Sequence, residues 1–425
     1  MFQKMFGLGV VSPARQTPQP ATTRKQSRTP SPSTTPPLSG TPPPIKPPQN
    51  LPAVTPFPDT KSTPEKNEPM TLPPMTVQPG TLPPMPVMSV AMPTAPPGTT
   101  IIAPPVPLTN EQWVGEPAAQ KWLEKIEFKT VTNEYITLQN MDVDVNNLCK
   151  KWKANMTLNQ SAEYPALDDK LIKCPDATEY VNMTKVDIPP GRSIFIGQLP
   201  KKGSEETFWK AFFEARITYL TIINEEGVDF FPNGVNDFRH YGSMFVNNRR
   251  VDNINEDVVR FVIEVLPNGF SNSIMSTVTV IKNWTIDSVH NKQSIVVKEI
   301  LEMNTHMNTA ASDENVAIIS KHGAGRAGYF AALFVAIGRL EQKNEPNIPE
   351  VVKNIRAQRP KAVESITQYV SLYITLFYYI KKKTVAGELD KKEQLHQKCV
   401  ELTAAFYEAL ATDINGGKST FTVAK

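Results

Sequence analysis

Cysteine is nearly absent from this chain, with only Cys149, Cys174 and Cys399 among 425 residues. Three such scattered thiols support neither a disulfide framework nor a cysteine-rich zinc site. No metal or cofactor is implied, and a reducing, cytoplasmic compartment is the natural expectation. Long apolar runs are missing too. The N-terminus MFQKMFGLGVVSPARQ carries only a short apolar patch, and prolines interrupt the apolar window 85–106, so neither a secretory core nor a spanning helix is expected. No membrane partner follows. Nor does charge of one sign dominate: 45 basic against 42 acidic side chains leave a net charge of +3, which excludes a nucleic-acid-binding stripe.

Aromatic residues are scarce in one region. The first 110 positions hold only Phe2, Phe6 and Phe57, while 29 of the 40 prolines lie there. A segment with so few core-forming side chains cannot offset its ordering entropy, so residues 1–110 are expected to be a disordered Pro/Ser/Thr-rich tail. Repeated Pro-Pro and Pro-x-x-Pro units, such as Pro42-Pro43-Pro44-Ile45-Lys46-Pro47-Pro48, favour polyproline II. That suits either a solubilising spacer or a strip for a proline-recognising domain. Ser/Thr-Pro pairs, among them Ser12, Thr29 and Thr41, suit proline-directed kinases. The remaining sequence divides into a body over residues 111–385 and a C-terminal amphipathic helix with a short tail over 386–425. Leu389, Leu395, Cys399, Leu402, Phe406 and Leu410 form the apolar stripe of that helix.

Within the body, order is expected from an N-cap at Thr109-Asn110-Glu111, followed by helices over 118–128 and 143–153. Short β-type runs come next, at 193–196, 219–223, 259–265 and 274–281, with an aromatic-rich helix over 205–214 between the first two. Two helices, over 349–357 and 366–382, close the body. Clustered strands with interspersed helices read as one α/β or α+β domain. Gly416-Gly417-Lys418-Ser419 resembles a nucleotide loop but has Thr412 where the first glycine belongs and no strand before it, so it is set aside.

The most informative segment runs from Val316 to Leu340. A wholly apolar stretch ends at Ser320, a glycine-rich turn follows through Lys321, His322, Gly323, Ala324 and Gly325, and a helix over 329–340 is apolar on most faces. Strand, turn and helix N-terminus aim backbone N–H groups at one point, which makes an anion cradle. Arg326 at its end supplies a planar fork suited to phosphate. The spacing Gly323-x-Gly325-x-x-Gly328 also fits a dinucleotide fingerprint. That reading needs a following strand and an acidic residue about twenty positions on, and another helix follows instead. Close strand-to-helix packing alone would account for the glycines, though not for the arginine.

From Ser320 to Arg326 the chain resembles the signature of protein tyrosine phosphatases, His-Cys-x5-Arg. Phe195-Ile196-Gly197-Gln198-Leu199-Pro200, Thr207-Phe208-Trp209, Asp229-Phe230-Phe231-Pro232, Arg356-Ala357-Gln358-Arg359-Pro360 and Gln368-Tyr369 are similar to further segments of that family. The resemblance covers roughly residues 112–383. It implies a twisted mixed sheet flanked by helices, and a cradle formed by Ser320, Lys321, His322, Gly323, Ala324, Gly325 and Arg326. It also implies that Tyr164 stacks on a substrate ring. The departures fall on the reacting groups. Ser320 stands for the nucleophilic cysteine, Ile286 for the general acid, Ala327 for the hydroxyl that helps the thiolate leave, and Glu364 for the glutamine that positions water. Asp287, one position late, is a reserve acid. The expectation is a pseudophosphatase: a binding or scaffold module in signalling, with a phosphotyrosine-bearing protein as partner. A weak phosphatase working through Ser320 and Asp287 is the alternative.

Overall fold

The computed structural model describes residues 113–384 and 390–413. The expected disordered tail, the N-cap at 109–111, the boundary near 385, Leu389 and the glycines at 416–417 lie outside those residues. Helices α1 (Glu116–Leu123), α2 (Phe128–Gln139), α3 (Val145–Leu148) and α4 (Lys150–Ala154) come first. Strands β1 (Met183–Ile188) and β2 (Arg192–Gln198) follow, then α5 (Glu205–Glu214) and β3 (Ile217–Ile223). Next are β4 (Phe238–Tyr241), β5 (Met244–Asn253), β6 (Val258–Pro267) and β7 (Ile274–Ile281). The last stretch holds α6 (Gln293–Thr309), β8 (Asn315–Ser320), α7 (Gly325–Glu341), α8 (Ile348–Gln358), α9 (Ile366–Thr384) and α10 (Asp390–Asp413).

The strands form one eight-stranded sheet in the order β1-β2-β8-β3-β7-β6-β5-β4. Its centre, β2-β8-β3-β7, is parallel, and the flanking pairs are antiparallel. Helices cover both faces of the centre, and so β8 is apolar on both faces from Val316 to Ile319 rather than alternating. Val316 and Ile318 point to the side packed by α6, α7, α8 and α9, while Ala317 and Ile319 point to the side packed by α5. Phe208, Trp209 and Phe212 make α5 the lid of that second face, and the Trp209 indole donates to the Phe230 carbonyl at 3.1 Å. Burying each such phenylalanine stabilises by roughly 1.5–3 kcal/mol.

Two expected helices are each divided. The pattern over 118–128 belongs to α1 and the start of α2, because Glu127 is extended (φ −131°, ψ 134°) and the chain turns before Phe128. The second, over 143–153, breaks into α3 and α4 at Cys149 (φ −127°, ψ 41°). The cause is remote in sequence: the Asp168 carboxylate accepts the N–H groups of Lys150 and Lys151, both at 2.9 Å, and so starts a new helix there. Beyond the undescribed residues 385–389, α10 packs its stripe of Leu395, Cys399, Phe406 and Leu410 into the core of the body. Phe406 meets Phe128, Tyr373 and Phe377 at ring separations of 5.3, 5.9 and 5.2 Å. Among the described residues, no helix is long and apolar enough to cross a membrane.

Candidate functional site

Ser320 ends β8 at the centre of the sheet, with Gln198 of β2 and Ile223 of β3 as its lateral neighbours. The chain then turns through Lys321–Ala324 into α7. Gly323 has φ +66°, and a Cβ there would lie 2.2 Å from the Gly197 carbonyl carbon, so the turn rests directly on β2 backbone and only glycine fits. Arg359 holds the turn from beneath. This fully buried guanidinium donates from Nε to the Gly323 carbonyl (2.8 Å) and from Nη2 to the His322 carbonyl (3.2 Å). Its Nη1 donates to Asn182 Oδ1 (2.6 Å) and Thr184 Oγ1 (3.2 Å). A trans peptide directs C=O and the following N–H to opposite sides. Drawing the carbonyls of 322 and 323 onto Arg359 therefore turns the N–H groups of 323 and 324 away from it. The Gly323 N–H is taken up by the Ser320 hydroxyl, which leaves the Ala324 N–H and the amides of the first turn of α7, without acceptors among the described residues, as the donors open to an anion.

The Ser320 hydroxyl is buried and accepts the Gly323 N–H at 3.2 Å. Among the described residues no hydrogen bond joins it to His322 or to any other base. Arg326, 4% exposed, donates from Nη1 to the Trp284 carbonyl, while its Nε and Nη2 have no protein acceptor among the described residues. Burial pulls its pKa down, against the nearby Glu225 and Asp287 carboxylates. Glu225, to which the sequence reading gave no role, accepts the Ile286 N–H at 3.0 Å and so pins segment 284–290 beside Arg326. Ile286 stands at the rim with no proton to give. Asp287 follows in the left-handed region (φ +61°) and is exposed, its carbonyl accepting the Ser365 hydroxyl at 3.2 Å.

The other side of the mouth is built from Tyr164, His322 and Glu364. The Tyr164 ring is stacked on the His322 imidazole, with centroids 4.6 Å apart and planes at 14°. Its hydroxyl donates to the Glu364 carboxylate, and Lys361 Nζ lies 5.5 Å from its centroid. The Glu364 carboxylate leans towards the start of α7, where a Cβ on Gly325 would stand 3.1 Å from its Oε2. Burial raises the Glu364 pKa more than the Tyr164 hydrogen bond lowers it. Ala327 is fully buried one turn into α7 and brings no hydroxyl to the site. The ten expected site positions from 320 to 327, 364 and 164 thus lie around one mouth, with Ile286 and Asp287 at its edge. What the sequence reading did not foresee is how they pair: His322 with Tyr164, Tyr164 with Glu364, and the loop with Arg359.

A pH dependence follows from this packing. Burial lowers the pKa of His290, His306 and His322 from 6.5. Asp257 and Lys292 face His290, Glu314 faces His306, and Lys321, Arg326, Asp287 and Glu163 face His322. Folded, these rings bind fewer protons than the unfolded chain, so their stabilisation is complete above 6.5 and is lost as pH falls through that value. The raised carboxyls of Glu299 and Glu364 act oppositely but nearer 4.5. Tm is expected to hold above about pH 7 and to fall as the pH drops below about 6.5. A His290→Gln variant should flatten that slope in thermal scans.

The family model described as protein-tyrosine phosphatase matches residues 155–378, more than half of the chain. Two Caenorhabditis elegans proteins with provisional tyrosine-protein phosphatase names are similar to it. One is 25% identical over 254 residues, covering 57% of this chain and 62% of the relative, and the other 27% identical over 288 residues, covering 62% and 63%. The chain therefore spans a little under two thirds of the length of these relatives. In fold it is similar to a solved protein tyrosine phosphatase of Trypanosoma cruzi, with a TM-score of 0.54 at 16% identity over 61% of this chain and 96% of that one. The family model covers more than half of the chain and the fold agrees with a solved member, so the chain belongs to the protein-tyrosine phosphatase family.

Proposed function

We propose that this chain is a catalytically silent member of its family, a binding or scaffold module whose cradle holds the phosphate of a partner without cleaving it. Ser320 carries this reading. Its hydroxyl accepts the Gly323 N–H at 3.2 Å and meets no base among the described residues, whereas a hydroxyl needs a positioned base to attack phosphorus. Binding is supported by the loop amides and by a buried Arg326 whose Nε and Nη2 have no acceptor among the described residues, beside a cavity of about 320 Å³. The proline-rich segment adds, on sequence grounds alone, a strip for a proline-recognising domain. A second reading, weak hydrolysis through Ser320 aided by Asp287, draws on the place of that residue at the edge of the mouth, where its carbonyl accepts the Ser365 hydroxyl at 3.2 Å.

Titration of the full chain with inorganic phosphate tests the binding reading. Arg326→Ala removes charge-assisted contacts worth roughly 1.5–3 kcal/mol and is expected to weaken binding about ten- to hundredfold. Equal affinity in both proteins would show that the cradle is only part of the scaffold.

A further inference from the structure

Tyr164 is the side chain that the family resemblance assigns to stacking on a substrate ring, yet it is 5% exposed and already carries a ring of this chain. The His322 imidazole lies 4.6 Å from it at 14°, within the range of stacked aromatic pairs. Both partners are fixed. The Tyr164 hydroxyl donates to the Glu364 carboxylate, a charge-assisted bond that resists swinging of the ring. The segment bearing Glu364 is itself tied down: the Glu364 N–H donates to Gln368 Oε1 at 2.9 Å, and Arg356 donates to the carbonyls of Ala362 and Val363, both at 2.7 Å. On the other partner, the His322 carbonyl is held by Arg359. Burial, Lys321 and Arg326 all lower the His322 pKa, which keeps the imidazole neutral and suited to stacking at neutral pH.

A second approach to the cradle stays open. Arg326 and Lys321 border the cavity of about 320 Å³ together with Gln160 and Asn224. The carboxylates of Glu225 and Glu226 also line it and oppose a second negative group on the ligand. Arg326 is the buried donor facing this space with Nε and Nη2 unpaired among the described residues.

We infer that His322 determines ligand specificity: its imidazole takes the place of a substrate ring on Tyr164, so the cradle admits a single free tetrahedral oxyanion and refuses an aryl phosphate. This rests on the proposal that the cradle binds phosphate, and narrows the ligand class from phosphotyrosine to a non-aromatic phosphate.

The test uses the full chain with inorganic phosphate and O-phospho-L-tyrosine as probes in calorimetric titrations, and the His322 ring protons as an NMR reporter. Wild type is expected to bind phosphotyrosine no more tightly than phosphate. His322→Ala should tighten phosphotyrosine about tenfold relative to phosphate, the scale of one aromatic stack. In wild type the His322 ring protons should be shifted upfield by the Tyr164 ring, and Tyr164→Leu should return them towards free histidine. Tighter phosphotyrosine binding by wild type, no gain in His322→Ala, or unshifted ring protons would each overturn the inference. If wild type and Arg326→Ala both ignore phosphate, the binding proposal falls and admission of the anion with it, whereas the ring-proton shift still decides the exclusion of the aryl group.

Discussion

Hydrolysis of phosphotyrosine by the full chain is expected to stay at buffer background, and to stay there when Ser320 alone is changed to cysteine. Two deficits multiply. The Ser320 hydroxyl accepts a backbone N–H and has no base among the described residues to remove its proton, so it remains a weak nucleophile. Ile286, at the position the family resemblance gives to the general acid, has no proton to donate, and loss of acid catalysis costs about 10²–10⁴ in rate. A cysteine at 320 addresses only the first deficit. The phosphoryl group would still face the Glu364 carboxylate near the start of α7 and a leaving group without a proton donor. Ser320→Cys, Ile286→Asp, Ala327→Ser and Glu364→Gln combined, compared with Ser320→Cys in the same His322→Ala background, should therefore run at least about 10² faster. Steady-state rates on a phosphotyrosine peptide decide it. Wild-type turnover near about 1 s⁻¹, abolished by Ser320→Ala, would instead establish the chain as a working enzyme.

Parts of this architecture are legible in the sequence because local pattern and tertiary environment agree there. Helix α5 and strand β7 run over Glu205–Glu214 and Ile274–Ile281, as their patterns predict, since Phe208, Trp209 and Phe212 in the one and Ile274, Val278 and Val280 in the other are buried in the same core. Three of the elements that escape reading carry a polar signal. Strand β4 is a four-residue edge strand exposed along nearly its whole length, and so lacks alternation. Strand β5 buries Asn247 and Asn248, whose amides donate to Glu264 and to the Pro232 carbonyl. Helix α6 buries Glu299 against Arg260 of β6 at 2.6 Å, a partner invisible from its own sequence. The same division runs through the site. The cradle is local, so a strand, glycines and an arginine in one stretch predict it. Glu225 pinning Ile286 and Tyr164 bonding Glu364 join residues 61 and 200 positions apart. Only the fold brings them together.

Arg359 is the extreme case of such a long-range dependence, and Arg359→Ala is expected to be among the most damaging single changes in the chain. Burial pushes its pKa down to about 10, so the guanidinium remains charged at neutral pH. Among the described residues it has no carboxylate partner. Its charge is held by the carbonyls of His322 and Gly323, the Asn182 amide oxygen and the Thr184 hydroxyl. Truncation would strand these acceptors in a dry interior, at roughly 1–3 kcal/mol for each one left unsatisfied, and would open a cavity beneath the loop. Partial relaxation and water entry offset some of this. A net loss of about 4 kcal/mol is expected, lowering Tm by roughly 8–16 °C for a body of this size. Arg359→Lys should recover only part of the loss, because an ammonium cannot span four acceptors arranged for a planar fork. The two arginines of the site then separate by experiment. Arg326→Ala should weaken phosphate binding about ten- to hundredfold while shifting Tm far less than Arg359→Ala, because only one of its donors has a protein partner among the described residues. An Arg359→Ala protein melting within about 2 °C of wild type would mean that the loop keeps its shape through Gly323 and β2 alone, and that the guanidinium beneath it is dispensable.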